Sequence, residues 1–363
     1  MEGWKKDKLG NLLELVYGKS LPKNKRVDGK IPVHGSNGIV GFHNVAIVNE
    51  PGIIVGRKGS AGKVHISKVP FCPIDTTFYI TQQYSKLDLE YLYYALNFLD
   101  LKRILGDVGV PGLNREMAYF EELFYPPDKA EQRKIAHVLN TVQKAIEQQD
   151  KLIRTTTELK KALMQKLFTE GTRGELQKKT EIGLVPESWE VVEFPKFVLL
   201  QRGKDLTKKN FMDGDIPVAG SNGVIGYHNQ SFVKAPGVTV GRSGSCGIVN
   251  YYEKDFWAHN TSLYVKDFNG NDEMFSFNYL QFLDIGKFKT GASVPTLDRN
   301  SLNTFEVPVP KKEEQKEIAK YIQTIESKIE SSKNKKETLT ALFKTLLHEL
   351  MTGQRRVNEL KLD

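Results

Sequence analysis

Two stretches of the chain carry a helical rhythm of apolar positions. From Pro127 to Gly171, and again from Pro310 to Gly353, no glycine or proline intervenes, and Glu, Gln, Lys, Ile and Leu dominate. Ile135, Leu139, Val142, Ile146, Ile153, Leu163 and Leu167 fall on the a and d positions of a heptad. Ile318, Ile322, Ile325, Ile329, Leu339, Phe343, Leu346 and Leu350 repeat that register in the second stretch. Each stretch of about 40 residues predicts a helix about 60 Å long. An apolar seam this narrow needs a cover, and the order globular segment, helix, globular segment, helix predicts two helices packed antiparallel, with a globular domain at each end. Gln149, Thr156, Ser332 and Lys336 interrupt the seam. Either these polar groups set the register at a cost in stability, or, the simpler expectation, the middle is frayed or solvated where helices diverge or partners enter.

The remaining segments read differently. Short β-type runs (Ile53 to Val55, Thr76 to Ile80, Ser262 to Val265) alternate with Gly, Pro and Asn turn chemistry, and helical patches at Leu89 to Phe98 and Met274 to Leu283 interrupt them. The pattern predicts mixed α+β domains. Tyr125-Pro-Pro-Asp128 reads as a stop between a strand and the first long helix, with Asp128 in the helix's first turn or cap.

These elements are written twice. Ile31-Pro-Val-His-Gly-Ser-Asn-Gly-Ile-Val-Gly-Phe-His-Asn44 recurs as Ile216-Pro-Val-Ala-Gly-Ser-Asn-Gly-Val-Ile-Gly-Tyr-His-Asn229, and the match runs on without a gap to Gly62 and Gly247. About 19 of 32 positions are identical. Trp4 pairs with Trp189, Gly18-Lys19 with Gly203-Lys204, Val110-Pro111 with Val294-Pro295, and Glu131-Gln132 with Glu314-Gln315. The expected fold is therefore α+β: two similar domains, 1–127 and 184–310, separated by two long antiparallel coiled-coil helices, 128–183 and 311–363, in a pseudo-twofold internal repeat.

Composition sharpens this only modestly. At 363 residues the chain exceeds one compact core, and 39% hydrophobic with 26% charged residues is ample for folded domains. The net charge of +8 suits an anionic partner without demanding one. No apolar run approaches a bilayer span and the first residues lack a signal-peptide core, so the cytoplasm is the expected location and no membrane partner is expected. Cys72 and Cys246 cannot build a disulfide framework or a four-ligand zinc site.

Catalytic constellations are missing. Gly56-Arg-Lys-Gly-Ser-Ala-Gly62-Lys63 imitates a phosphate loop, but its glycines are one residue too far apart and Val64 stands where a hydroxyl is needed. Tyr125-Pro-Pro-Asp128 only inverts the motif of base methyltransferases, with no glycine-rich turn to hold S-adenosylmethionine. No nuclease-like carboxylate pair recurs in both copies, and the seven histidines do not cluster with acids at metal-ligand spacings. No catalytic residue, metal or cofactor is expected.

Nucleic-acid vocabulary is present. The Gly-Ser-Asn-Gly turns at 35–38 and 220–223 allow close backbone approach, and their Ser36, Asn37, Ser221 and Asn222 can hydrogen-bond phosphates or base edges. Arg57, Lys58 and Ser60, matched by Arg242, Ser243 and Ser245, place an Arg on a constrained turn, suited to bidentate contact with guanine or phosphate. Lys63, the matched Lys19 and Lys204, and the matched His43-Asn44 and His228-Asn229 complete the candidate DNA-binding set. The competing reading is that the glycines are hairpin turns and that Arg57 and Arg242 pair with internal carboxylates. Positions alike in both copies suit scaffold and phosphate contact. Those that differ (His34 and Ala219, Lys58 and Ser243, Lys63 and Ile248) suit unlike bases, which predicts an asymmetric two-part target.

With these features in order, the chain resembles the DNA-specificity subunits of type I restriction-modification systems over essentially its whole length. The resemblance rests on tandem domains each followed by a long helix and on Pro-x-x-x-Glu-Gln-x-x-Ile opening both helices (Pro127 to Ile135, Pro310 to Ile318). It rests also on the endings Leu-Phe-Thr-Glu-Gly171 and Leu-Met-Thr-Gly353, and on Ile182-Gly-Leu-Val-Pro-Glu-Ser-Trp189 before the second domain. It implies that 1–127 and 184–310 are target-recognition domains for double-stranded DNA, each reading half of a bipartite site, with the helix pair as spacer. It implies two methyltransferase subunits along the helices and ATP-dependent restriction and translocase subunits joining for cleavage. The rival expectations are a stand-alone nuclease or methyltransferase and a coiled-coil structural protein.

Overall fold

Three-residue runs bounded by glycines, Ile53-Ile-Val55 and Val238-Thr-Val240, become buried central strands, one in each half of the chain. The computed structural model describes residues 3–104, 112–180, 183–291, 295–297 and 299–357; Val110, Pro111, Val294 and Ile182 of the repeated motifs lie outside them. The chain divides into two compact units, Met1–Asp150 with Asn334–Asp363, and Lys151–Lys333.

In the first unit the strands are β1 (Val16–Tyr17), β2 (Ile31–Gly35), β3 (Gly38–His43), β4 (Gly52–Gly56), β5 (Val64–Ser67), β6 (Cys72–Pro73) and β7 (Thr77–Thr81). One antiparallel sheet has the order β1-β7-β4-β5; a second has the order β3-β2-β6, with β6 parallel to β2. Every residue of β4 is buried, as its unbroken apolar run requires. Helix α1 (Leu89–Leu99) starts where the Asp88 carboxylate accepts the Tyr91 N–H at 3.2 Å. It buries Tyr91, Leu92, Ala95 and Leu96 in one cluster with Ile53, Val55, Phe78 and Ile80. Strand Lys5–Lys8 pairs with Glu122–Tyr125, so the globular part closes where the long helix α2 (Lys129–Glu170) begins. Asp128 caps that helix by accepting the Ala130 N–H at 2.8 Å.

The second unit repeats the plan with β8 (Leu199–Arg202), β9 (Ile216–Gly220), β10 (Gly223–His228), β11 (Gly237–Gly241), β12 (Val249–Tyr252), β13 (Trp257–Ala258) and β14 (Ser262–Asp267). Their sheet orders, β8-β14-β11-β12 and β10-β9-β13, are those of the first unit, and the hairpins share a bulge at Val33/His34 and Val218/Ala219. Helix α3 (Glu273–Phe282) takes the place of α1, and Glu190–Glu193 pairs with Glu306–Val309 before helix α4 (Lys312–Met351).

Each unit takes half of each long helix. In the first, Ile135 and Leu139 join the core with Leu346 and Leu350, and Lys336 pairs with Asp150 at 2.6 Å. In the second, Leu167 and Phe168 share a core with Ile318 and Ile322, and Lys160 pairs with Glu326 at 2.7 Å. Within both units, rising numbers on α2 meet falling numbers on α4, so the halves run antiparallel. The expected frayed middle is replaced by continuous helix: α2 and α4 are unbroken over 42 and 40 residues. Ser332 is buried there, its hydroxyl donating to the Lys328 carbonyl at 2.9 Å, and the partly exposed Lys336 pairs with Asp150, so the helices stay continuous while part of the polar seam keeps its contact with solvent. Past Glu170, Gly171 ends α2 and Gln177–Thr180 pairs with Gly183–Pro186, so the 128–183 segment is a helix followed by a hairpin.

Candidate nucleic-acid interface

Backbone hydrogen bonds, the same in both units, hold the arginine turns. The N–H groups of Arg57 and Lys58 donate to the Thr76 carbonyl at 2.8 and 3.1 Å, and the Leu113 N–H donates to the Arg57 carbonyl at 2.9 Å. Arg242 and Ser243 donate to Thr261 at 2.9 and 3.2 Å, and Leu297 donates to Arg242 at 2.8 Å. The turn closes on itself through Gly62 N–H to the Gly56 carbonyl and Gly247 N–H to the Gly241 carbonyl, each 2.8 Å. Gly62 and Gly247 have φ of +78° and +82°, and a Cβ on either would meet neighbouring backbone at 2.6 and 2.4 Å, so only glycine serves. A spacing that imitated a phosphate loop is thus a rigid turn that presents an arginine.

The expectation of internal carboxylate partners for these arginines fails. The Arg57 guanidinium lies 5.2 Å from the Tyr17 ring centre, and Arg115 stacks on the same ring at 5.2 Å. Among the described residues the Arg242 side chain makes only a long 3.4 Å contact, from Nη1 to the Asn260 carbonyl. Among the described residues no acid lies within ion-pairing distance of Arg57 or Arg242, so their donors remain for an external anion or base edge. The other half of that expectation holds: Ser36-Asn37 and Ser221-Asn222 are the turns of the hairpins β2–β3 and β9–β10.

The structure gathers part of the candidate set. The Ser36 hydroxyl donates to the Thr76 carbonyl at 2.6 Å, the atom that also holds Arg57 and Lys58, and the Lys63 ammonium donates to Asn37 Oδ1. Hairpin tip and arginine turn therefore form one surface in the first unit, carrying Asn37, Arg57, Lys58, Ser60 and Lys63. Lys19 and Lys204 are exposed, their backbones fixed by the carbonyls of Pro73 and Ala258 at 2.9 Å each; the Lys204 ammonium stacks on Phe232 at 4.3 Å. Ser221 and Ser245 flank Gly241, whose Cβ would strike both of their carbonyls.

His43, Asn44, His228 and Asn229 lie at the opposite end of the hairpins, where His43 faces Ile31 and His228 faces Ile216. That is about 13 Å from the tip at roughly 3.3 Å per residue. Nδ1 of His43 accepts the Val27 N–H at 3.0 Å and Nδ1 of His228 accepts the Met212 N–H at 3.1 Å. These histidines fasten the preceding loop to the hairpin, which accounts for their repetition.

His34, one of the unlike positions, is not on the surface. It is 5% exposed against Phe71, and burial, with His65 adding repulsion, lowers its pKa to about 4. Burial also lowers the pKa of His65; the Ser36 backbone opposes this and Lys63 reinforces it.

Residue-type reasoning missed Tyr17 and Arg115. Arg115 follows Asn114, whose side chain caps a short helix by accepting the N–H groups of Glu116 and Met117. The repeated Leu113-Asn-Arg115 and Leu297-Asp-Arg299 was the available signal. Tyr17 had none, because Arg202 occupies its place in the second copy.

The model of the type I restriction modification DNA specificity domain matches residues 1–155 and 186–341. The chain belongs to this family. It is similar to the type I restriction enzyme MjaVIII specificity subunit of Methanocaldococcus jannaschii, 26% identical over 99% of this chain and 94% of that one. It is also similar to the putative type I specificity subunit S.MpnORF638P of Mycoplasma pneumoniae, 25% identical over 96% of both chains. The crystal structure of the S subunit of a type I restriction-modification system from M. genitalium shares the fold, with a TM-score of 0.72 over 96% of both chains at 19% identity. Type I specificity subunits are the non-catalytic, DNA-recognising members of their systems, and this chain is one of them. No helix among the described residues is long and apolar enough to cross a membrane.

Proposed function

We propose that each unit reads one half of a bipartite, asymmetric site in double-stranded DNA, while the paired helices set the unread gap and dock two methyltransferase subunits. The observation that carries this is one backbone clamp presenting unlike side chains. The hydrogen bonds around Arg57 and Arg242 coincide, yet in the repeat Lys58 corresponds to Ser243, Lys63 to Ile248 and Tyr17 to Arg202. A shared frame suits the uniform phosphate backbone, and unlike side chains suit unlike bases.

The chemistry of methyl transfer and cleavage then belongs to partners: the methyltransferase subunits, and ATP-dependent restriction and translocase subunits that join them in the cytoplasm, beside the host DNA. Half-sites on one face of B-DNA lie about 34 Å apart per turn, within reach of helices about 60 Å long. Mapping methylated adenines in host DNA with and without this gene tests the reading. A two-part, non-palindromic motif that vanishes on deletion supports it; an unchanged methylation map overturns it. Removing one helical turn from both helices should shorten the gap between half-sites, and a fixed gap with binding retained would end the spacer idea.

A further inference from the structure

Beneath each hairpin tip lies a pair of side chains whose chemistry changes completely between the units while their backbone position does not. Lys63, the residue just before β5, and His65 within it correspond to Ile248, just before β12, and Asn250 within that strand. Residues two apart on an extended strand share a face, and β5 and β12 are edge strands of their sheets. The register is the same: His65 faces Ile54 and Asn250 faces Thr239. Both side chains also reach the same turn glycine. His65 Cε1 lies 3.6 Å from the place a Cβ would take on Gly38, and Asn250 Oδ1 lies 3.6 Å from that of Gly223.

Two further observations single out this pair. Nε2 of His65 and Nδ2 of Asn250 are buried without a hydrogen-bond partner among the described residues, an unfavourable state that both units keep independently at one position. Beside them, Lys63 is held by Asn37 Oδ1, whereas Ile248 is 43% exposed, an apolar side chain left in solvent. A polar nitrogen without a partner under a turn, beside an ammonium on the hairpin tip in one unit and an exposed apolar side chain in the other, is what a site looks like before its ligand arrives.

We infer that 63/65 and 248/250 are equivalent base-reading pairs, and that they determine which base pair each half-site carries at the position under the hairpin tip. This rests on the bipartite reading above. Lys63 offers only donors, which match the N7 and O6 acceptors of guanine. Ile248 offers an apolar contact for a thymine methyl, and Asn250 offers the donor and acceptor that match adenine N6 and N7. The first half-site therefore carries a G·C pair there and the second an A·T pair. Both orphan nitrogens lie under the turn, so contact with a base edge requires Ser36-Asn37 or Ser221-Asn222 to shift on binding.

The test uses the full chain assembled with its methyltransferase subunits, with the methylated motif read from randomised duplexes. Exchanging the pair in the second unit (Ile248→Lys with Asn250→His) should change the preference from A·T to G·C at one or two adjacent positions of one half-site, by tenfold or more. The other half-site and the gap should stay as they were. The reverse exchange, Lys63→Ile with His65→Asn, should do the opposite in the other half. Ile248→Lys alone sits at an exposed position and should still relax the A·T preference if the double variant fails to fold. An unchanged motif in a folded variant overturns this assignment and leaves the bipartite reading intact. A parent complex with no two-part motif overturns the bipartite reading itself.

Discussion

Arg356 holds the carboxylate of Glu131 with two parallel hydrogen bonds, Nε to Oε1 and Nη2 to Oε2, both at 2.9 Å. Glu131 is 8% exposed on the first turn of α2, and Arg356 lies just past the end of α4. The pair therefore fastens the segment leaving one helix to the start of the other. Glu314 does the same in the second unit with a different partner, accepting the N–H and the hydroxyl of Thr172 at 2.7 and 3.2 Å. Removing the fork leaves a buried carboxylate short of donors, so Arg356→Ala should lower stability by about 1–3 kcal/mol. Urea denaturation of the first unit's tryptophan and tyrosine signals measures it, and an unchanged midpoint would show the pair to be idle.

The neighbouring glutamines join helix to domain. Gln132 Oε1 accepts the Asp88 N–H at 2.7 Å and its Nε2 donates to the Pro126 carbonyl at 2.8 Å; Gln315 does the same with Asp272 and Pro310 at 2.8 and 2.9 Å. Leucine at either position strands buried backbone groups. Gln132→Leu and Gln315→Leu should each cost about 1–3 kcal/mol. Hydrogen exchange should accelerate at Asp88 in one variant and at Asp272 in the other, and equal protection in both would contradict the arrangement.

Acid should weaken the first unit selectively. His34 stays neutral in the fold down to about pH 4, whereas in the unfolded chain it protonates near its ordinary value of about 6.5. Its folded pKa is depressed, so the associated stability is complete above about pH 6.5 and is lost progressively as the pH falls towards 4, by on the order of 3 kcal/mol. His34→Ala, which copies Ala219 of the second unit, should flatten this dependence. Thermal melts of both proteins between about pH 4 and 7.5 would reveal parallel curves if His34 has no part in it.

Arg57→Ala and Arg242→Ala should each weaken duplex binding by about 1–3 kcal/mol. A loss confined to one half-site's sequence dependence marks base reading, and a uniform loss with a shallower salt slope marks phosphate contact. Because Arg57 shares the Tyr17 ring with Arg115, Tyr17→Ala should weaken binding through loss of that platform while leaving the fold intact. Titration of fluorescent duplexes at several salt concentrations separates these cases, and wild-type affinity in all three variants would remove the surface from consideration.

The apolar pattern and the duplication were enough for the α+β class, the two long helices and the repeated domains, because heptads and buried β-runs are local periodicities that any cover would satisfy in the same way. The sequence alone also placed Arg57 and Arg242 on turns and located the hairpin turns, since glycine spacing marks turns directly. It could not say that His43 and His228 hold loops while Arg57 faces outward, because both were simply polar residues repeated among glycines. Nor could it say where the polar seam residues find partners: Ser332 and Lys336 are polar in any arrangement, and the fold supplies Lys328 and Asp150. Tertiary structure settled these points because a hydrogen bond depends on what the fold brings within about 3 Å, and residues far apart in the chain, such as Glu131 and Arg356, have no local pattern that announces their meeting.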